Sequence, residues 1–173
     1  MIKYFDFEYE IEKIDNLIES LKKNIDVNNN KIEKLKSEKK KLLEKIYSNL
    51  NAWQKVQVSR HIDRPHTLHY FENIFENIVF LHGDKKFADD SAILGGFAKI
   101  NNQSVIILGT EKGNTMETRI KHNFGMAKPE GYRKAQRLIT LGEKFKLPVI
   151  TFVDTAGAFP GKDAEERGQS ESI

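Results

Sequence analysis

The sequence predicts an α/β domain that follows a charged helical arm. Three features lead to this expectation. Apolar residues recur at spacings of three and four between about residues 8 and 50, two apolar segments near residues 93–109 flank a short polar turn, and an apolar run, Val149–Val153, follows an amphipathic helix. A strand, a helix and a strand in that order favour a right-handed βαβ crossover. We therefore expect an arm at residues 1–50 and an α/β domain at residues 51–173.

The arm has one apolar stripe between charged residues. The stripe consists of isoleucines and leucines: Ile11, Ile14, Ile18, Leu21, Ile25, Ile32, Leu35, Leu42 and Ile46. Three consecutive asparagines, residues 28–30, form a poor helix interior. Two antiparallel helices joined near Asn28 are therefore favoured over one long rod, although a coiled coil remains an alternative.

The segment between the arm and the first strand is expected to be a loop and then a helix. Ser59–Thr67 is polar, and Leu68–Phe80 places its apolar residues on one helical face. His61, His66 and His69 suggest zinc, but no two of them have the helical i, i+4 spacing, and the sequence contains no cysteine. We predict no metal site.

The next segment reads as a β-hairpin. Ile93–Ile100 and Ser104–Gly109 are apolar, and Asn101–Gln103 separates them. The pair Gly95-Gly96 within the first strand indicates a bulge or the close approach of another backbone. Gly109–Gly113 then forms a glycine loop.

A helix and a buried strand complete the predicted crossover. Pro129 and Glu130 are residues favoured in a first helical turn, and the helix is expected to end before Pro148. Val149–Val153 reads as a strand that is buried on both faces. Asp154–Gly161 is expected to turn sharply before a helix that begins near Lys162.

The two glycine loops, Gly109–Gly113 and Thr155–Gly161, each follow a predicted strand. Both are expected at one edge of the sheet, where backbone N–H groups suit a developing enolate or another oxyanion. A tight structural turn is the alternative. No side chain is an evident nucleophile, since Ser170 and Ser172 have no arranged base, and Glu165-Glu166 reads as a helix N-terminus.

Composition and motifs exclude several classes of protein. A net charge of +3 is too small to indicate nucleic-acid binding, and no apolar run approaches the roughly 18 residues of a membrane span. The first residues do not form a signal peptide, so a cytoplasmic protein is expected. The string Asp154–Gly157 is typical of GTPases, but the phosphate-binding G-x-x-x-x-G-K-[ST] loop and the Asn-Lys-x-Asp motif are both missing from the sequence.

Three longer strings carry a specific resemblance: Asn123–Ala135, Pro148–Gly161 and Ala164–Glu171. Together they resemble the carboxyltransferase α subunits of bacterial and plastid acetyl-CoA carboxylase. The charged N-terminal helices, the loop from Arg60 to Thr67 and the segment Ala88–Gly96 are also similar to that family, so the resemblance covers nearly the whole chain.

The resemblance implies a crotonase-like fold of repeated ββα units and an enzyme of fatty-acid biosynthesis. It implies transfer of a carboxyl group from carboxybiotin to acetyl-CoA, which gives malonyl-CoA. The implied partners are a β subunit in an α2β2 assembly, the biotin carboxyl carrier protein that presents carboxybiotin, and the biotin carboxylase of the ATP-dependent complex, with no nucleic acid or membrane. The location would be the cytoplasm, or the plastid in a plant or alga. Gly157, Ala158 and Gly161 are the residues expected to contact biotin through the backbone, and no covalently bound cofactor or metal is expected.

The sequence departs from the family in two ways. It stops at Ile173, whereas the family continues through another strand and a glycine-rich loop that supplies donors on the biotin side. It also has Ala156 where many relatives have proline. The alternative expectation is therefore a truncated, non-catalytic remnant that docks on the β subunit or associates with itself.

Overall fold

The computed structural model describes residues 4–22 and 25–173, with the side chains of residues 25–28 left out. Contacts divide the chain into two compact units, residues 1–61 and 62–173. The predicted domain boundary at residue 50 stays a prediction.

The first unit is built on two antiparallel helices, α1 (Tyr9–Lys22) and α2 (Ile25–Ser48). Their antiparallel direction follows from two contacts, because Glu8 accepts a hydrogen bond from Tyr47 and Asp15 pairs with Lys39. Ile11, Ile18 and Ile32 of the predicted stripe are buried. The predicted junction near Asn28 is wrong, because α2 already begins at Ile25. Residues 23 and 24 lie outside the described part of the chain.

A short third helix, α3 (Ala52–Ser59), ends this unit. The Asn51 side chain accepts a hydrogen bond from the Gln54 amide, and the Gln54 side chain accepts one from the Asn51 amide. This reciprocal pair satisfies two of the unpaired donors at a helix N-terminus. It explains why the helix begins there.

The second unit contains a four-stranded sheet in the order β1-β2-β3-β4. The strands are β1 (Glu76–Phe80), β2 (Ile93–Ile100), β3 (Gln103–Thr110) and β4 (Val149–Phe152). β1–β2 and β2–β3 pair antiparallel, and β3–β4 pair parallel. The predicted hairpin is confirmed, and the parallel pairing of β3 and β4 confirms a strand–helix–strand crossover. Asn101 and Asn102 form the two-residue turn with φ angles of 49° and 62°, the backbone that such a turn needs.

The prediction of one helix over Leu68–Phe80 is wrong. Helix α4 covers only Thr67–Ile74, and Phe75 is already extended with φ −112° and ψ 151°. The strand that follows pairs with β2 through Glu76–Lys99 and Val79–Phe97. The apolar spacing fits a helix, but the hydrogen bonds to β2 favour a strand.

The glycine pair in β2 permits the close approach that the sequence predicts. A Cβ atom on Gly96 would lie 2.0 Å from the Val79 carbonyl oxygen of β1. The β1–β2 ladder is also irregular between Glu76 and Val79. No side chain larger than hydrogen fits at residue 96 without displacing β1.

Helices cover both faces of the sheet. Helix α6 (Pro129–Phe145) lies on one face, where Leu138 packs against Ile106 and Leu108. Phe71 of α4 and Phe75, which follows it, lie on the other face. The sheet is thus the middle of three layers. The remaining helices are α5 (Met116–Lys121), α7 (Lys162–Glu166) and α8 (Gln169–Ser172).

The prediction that Val149–Val153 is buried on both faces is wrong. Thr151 is exposed, and Val153, just beyond β4, is 81% exposed. β4 lies at one end of the strand order, whereas Val105–Gly109 in the inner strand β3 is fully buried. Position in the sheet therefore decides the burial of two equally apolar runs.

The described helices include none that is both long enough and apolar enough to span a membrane.

Candidate functional site

Two of the loops at the candidate site follow β3 and β4 at the same sheet edge. Lys112, after β3, pairs with Asp154, after β4, with 2.7 Å between Nζ and Oδ1. The Asp154 amide donates to the Thr110 hydroxyl over 2.6 Å. The predicted meeting of the two glycine loops is confirmed, because parallel neighbouring strands end at the same edge.

A third loop, residues 123–128, lies between them. Asn123, Phe124 and Gly125 all have left-handed backbone conformations, with φ angles of 47°, 54° and 79°. A Cβ atom on Gly125 would lie 2.9 Å from Lys112 Cβ and 3.4 Å from the Asp154 carbonyl oxygen. Glycine at residue 125 therefore lets the three loops approach one another.

The segment Asp154–Gly161, here called the amide loop, is held by a hydroxyl and a backbone bridge. Thr155 Oγ1 donates to the Gly125 carbonyl over 2.6 Å and accepts the Gly157 N–H over 3.0 Å. The Phe159 N–H donates to the Ala127 carbonyl over 3.0 Å. Both ends of the loop are thus attached to residues 123–128.

The three predicted site residues lie in this loop but differ in exposure and in the hydrogen bonding of their N–H groups. Gly157 is exposed, has φ +144°, and donates its N–H to Thr155. Ala158 is half-buried, and its N–H has no acceptor among residues 4–22 and 25–173. Gly161 is the residue before α7 and packs against the Phe159 ring. Their contact with biotin stays a prediction.

The Gln169 side chain also contacts the amide loop and the loop beside it. Its Nε2 donates to the Ala127 carbonyl over 2.8 Å and lies 3.4 Å from the Phe159 carbonyl. Because both neighbours are acceptors, Nε2 must face them. Its Oε1 is buried and has no hydrogen-bond partner in the described part of the chain.

Asp90 is only 3% exposed and binds both ends of the loop at residues 123–128 through hydrogen bonds to its carboxylate. One carboxylate oxygen accepts the Lys128 N–H over 2.7 Å, and the other accepts from the Ala92 N–H and the Asn123 side chain. Burial raises the pKa of Asp90, and the nearby Glu130 carboxylate adds to this rise. A buried carboxylate thus orders the loop that supports the amide loop.

Lys134 of α6 is 2% exposed and pairs with Asp89 over 2.5 Å. It also donates to the Asp90 carbonyl over 2.8 Å. Burial raises the pKa of Asp89, but hydrogen bonds from Lys134, the Gly83 amide and His82 outweigh it and hold the pKa below 3.8. The buried ammonium therefore has a charged partner at neutral pH.

A cleft of about 700 Å³ lies beside the loop that follows β3. Its lining includes His66, Glu111 and His122. Buried Glu111 accepts the Leu68 and Gly113 amides, and its carboxylate lies 3.5 Å from His66 Nδ1. Sequence reasoning missed Glu111, although its place directly after a strand was a signal that could have identified it.

His122 is anchored separately, since its Nδ1 lies 2.5 Å from the Ser91 carbonyl. His69 also lines the cleft, whereas His61 belongs to the first unit and packs edge-on against Phe5. Within the described ranges, no group of three or more histidine, aspartate or glutamate side chains could hold a metal ion.

The chemistry available at the amide loop comes from the backbone. Of the two serines considered in the sequence, Ser172 is buried with its hydroxyl on the Gln169 carbonyl, and Ser170 is exposed. Glu165 and Glu166 are exposed in α7. Exposed amides beside the carboxyl ends of parallel strands suit an anionic or carbonyl oxygen.

Comparison with known proteins gives a family match over residues 4–173, to the acetyl co-enzyme A carboxylase carboxyltransferase-like family. Similar curated proteins are acetyl-coenzyme A carboxylase carboxyl transferase α subunits. The chain is 50% identical to that of Sphingopyxis alaskensis over 100% of this chain and 56% of the relative. It is 49% identical to that of Caulobacter vibrioides over 98% of this chain and 55% of the relative. The chain spans about half the length of the curated relatives it matches.

Two solved structures are also similar. One is a single-chain, multi-domain long-chain acyl-CoA carboxylase, with TM-score 0.49, 21% identity, and coverage of 67% of this chain and 12% of that chain. The other is a transcarboxylase 12S, with TM-score 0.48, 20% identity, and coverage of 66% and 21%.

The α/β class is confirmed by the structure, in which the β2–β3 hairpin is followed by the short helix α5 and then by α6, the helix that packs on the sheet. The family match includes the helical first unit, the three converging loops and α8. The chain belongs to the acetyl co-enzyme A carboxylase carboxyltransferase-like family.

Proposed function

We propose that this chain acts as the carboxyltransferase α subunit of an acetyl-CoA carboxylase. In this proposal it acts with a β subunit to transfer the carboxyl group of carboxybiotin to acetyl-CoA, which gives malonyl-CoA and free biotin on its carrier. The observation that carries the proposal is the family match over residues 4–173, because curated relatives about 50% identical to this chain bear that name.

The amide loop supports this chemistry. Carboxyl transfer from biotin develops negative charge on the ureido oxygen, and fixed N–H donors stabilise such a charge without a nucleophilic side chain. The Ala158 amide is a donor of this type, since no described residue accepts its hydrogen. The Lys112–Asp154 pair and the Thr155 hydroxyl hold the loop in place.

The same proposal assigns the partners and the location. The β subunit would complete the cleft, an α2β2 assembly would form, and the biotin carboxyl carrier protein and biotin carboxylase would complete the ATP-dependent enzyme. The chain would work in the cytoplasm, or in the plastid of a plant or alga. Biotin would remain on the carrier protein, so this chain would hold no covalent cofactor.

The test is carboxyl transfer from malonyl-CoA to biocytin by this chain purified together with the β subunit of the same organism. We compare the unmodified chain with Gly157→Ala, which forces a side chain onto a residue with φ +144° in the amide loop. Gly83→Ala is the control, because residue 83 also has a positive φ, +73°, and its Cβ atom would make only an ordinary contact, 3.7 Å to the Ala88 carbonyl oxygen, in another loop.

We expect transfer by the unmodified complex, a loss of about tenfold for Gly157→Ala because misplaced donors stabilise less charge, and little change for Gly83→Ala. A complex that forms without any transfer would instead identify a docking remnant. Equal activity of all three chains would contradict the assignment of the amide loop to the biotin side.

A further inference from the structure

Backbone direction sorts the amides of the loop into two groups. In extended backbone, successive N–H groups point to opposite sides. The Phe159 N–H donates to Ala127, so the Ala158 N–H points away from residues 123–128. The Gly157 N–H is already used by the Thr155 hydroxyl. Glycine at residue 157 thus allows the backbone conformation with φ +144°, while its N–H is occupied by the Thr155 hydroxyl and is not free to donate to a ligand.

The Thr155 hydroxyl has a defined direction. Its oxygen lies 2.6 Å from the Gly125 carbonyl and 3.0 Å from the Gly157 carbonyl, and it has one hydrogen to donate. The shorter contact makes Gly125 the favoured acceptor. The lone pairs then face the Gly157 N–H. One hydroxyl therefore connects the end of β4, the left-handed turn and the amide loop.

We propose that Thr155 is a positioning residue whose hydroxyl withdraws the Gly157 amide from the site and directs the amide of Ala158 toward a ligand carbonyl oxygen. This inference rests on the proposed function, in which the ligand is the ureido group of biotin. The Ala158 amide has no acceptor in the described ranges, and its direction is fixed by the hydrogen bond of the next residue, Phe159, to Ala127.

The experiment separates the hydroxyl from the shape of the side chain. Thr155→Val removes the hydroxyl and keeps the branched shape, whereas Thr155→Ser keeps the hydroxyl. Thr155 is exposed, so neither change disturbs the core. The matched control is Thr140→Val, which removes another exposed threonine hydroxyl bonded to a backbone carbonyl, that of Gln136 in α6.

The first readout is amide hydrogen exchange of the 173-residue chain. We expect the Gly157 amide to exchange about tenfold faster in Thr155→Val, and at the original rate in Thr155→Ser and Thr140→Val, since one hydrogen bond protects it. Unchanged Gly157 exchange in Thr155→Val would overturn the proposal.

The second readout is carboxyl transfer to biocytin by each chain in complex with the β subunit. We expect kcat to fall about tenfold in Thr155→Val with a small change in KM, because donors that act on developing charge affect the transition state most. Thr155→Ser should restore most of kcat. An unchanged kcat in Thr155→Val beside faster Gly157 exchange would also overturn the proposal.

Failure of the proposed function gives a different result. If the unmodified complex transfers no carboxyl group while Gly157 exchange responds as expected, the contact between Thr155 and Gly157 stands and the assignment of its ligand to biotin is rejected.

Discussion

Two neighbouring aspartates show how much a residue's burial determines its role. Asp90 is buried and its carboxylate accepts only from neutral groups, two backbone amides and the Asn123 side chain, so burial raises its pKa. Asp89 is about one-third exposed and pairs with the buried Lys134 ammonium, so its pKa is lowered. The pair Asp89–Lys134 is consequently asymmetric, because only one partner depends on the other for solvation.

We predict that Asp89→Ala destabilises the protein more than Lys134→Met. Removing Asp89 leaves a buried ammonium with only a carbonyl partner, at a cost of about 2 to 3 kcal/mol. Removing the ammonium leaves a carboxylate that water reaches, and methionine fills the space, at a cost of about 1 kcal/mol. Urea denaturation of both variants at neutral pH measures the order. The reverse order would contradict this account of the pair.

The same pair predicts a pH dependence. A carboxylate whose folded pKa lies below its unfolded value of 3.8 adds stability above that pH, and the stability is lost as the pH falls through the folded pKa. The unmodified protein should therefore lose stability below about pH 4, and Lys134→Met should lose less. Equal pH profiles for the two proteins in urea denaturation would show that the ion pair contributes nothing.

Sequence reasoning proposed the amide loop as a candidate site but did not predict the residues that hold it. Gly157 and Gly161 follow a strand, a local pattern that predicts a backbone site. Asp90, Gln169 and Glu111 act on residues that are distant in sequence. Asp90 binds the amide of Lys128, 38 residues away, and Gln169 binds the carbonyl of Ala127, 42 residues away. No local spacing predicts such pairs.

At the scale of secondary structure, β1 lies so close to β2 that residue 96 has no room for a side chain. We predict that Gly96→Ala disrupts their pairing, because its Cβ atom would lie 2.0 Å from the Val79 carbonyl oxygen and 2.9 Å from Phe80 Cα. Backbone cannot yield as a flexible side chain can, so we expect a loss of about 3 kcal/mol. Gly83→Ala, with 3.7 Å to its nearest neighbour, is the control and should cost about 1 kcal/mol for its positive φ.

Thermal unfolding of the two variants tests this prediction. Gly96→Ala should unfold at the lower temperature and show faster amide exchange in Val79 and Phe80. If the two variants unfold at the same temperature, β1 and β2 are farther apart than the structure indicates.

The helical hairpin gives a prediction at alkaline pH. Burial and the hydrogen bond to Glu8 raise the pKa of Tyr47 from 10 to about 12. A group with a raised folded pKa contributes stability that is complete below its unfolded pKa and is lost as the pH rises through its folded pKa. Helix content measured by circular dichroism should therefore decrease between pH 10 and 12, and it should decrease less in Tyr47→Phe. The same decrease in both proteins would contradict this role of Tyr47.

Local signals predicted the elements well where they were unambiguous. Pro129 and Glu130 begin α6, and Asn101-Asn102 forms the turn between β2 and β3. The prediction of one helix over Leu68–Phe80 was wrong because its apolar residues have helical spacing. The strand that forms there, Glu76–Phe80, is stabilised by pairing with residues some 20 positions later, which local spacing does not reveal. The burial of β4 was mispredicted because composition does not specify a strand's place in the sheet.

At the scale of the whole molecule, the family match unites two units that the contacts separate. Residues 1–61 form a helical unit and residues 62–173 an α/β unit, yet the family match runs from residue 4 to residue 173. Both units therefore belong to the family's architecture. The proposed site uses only residues of the second unit.

The measurement that tests the central claim most directly is co-purification of this chain with the β subunit of the same organism, followed by the biocytin transfer assay. The account predicts one complex that contains both chains and carries the carboxyl group from malonyl-CoA to biocytin. Separate elution of the two chains, with no transfer when they are mixed, would contradict the claim that this chain works as a carboxyltransferase α subunit.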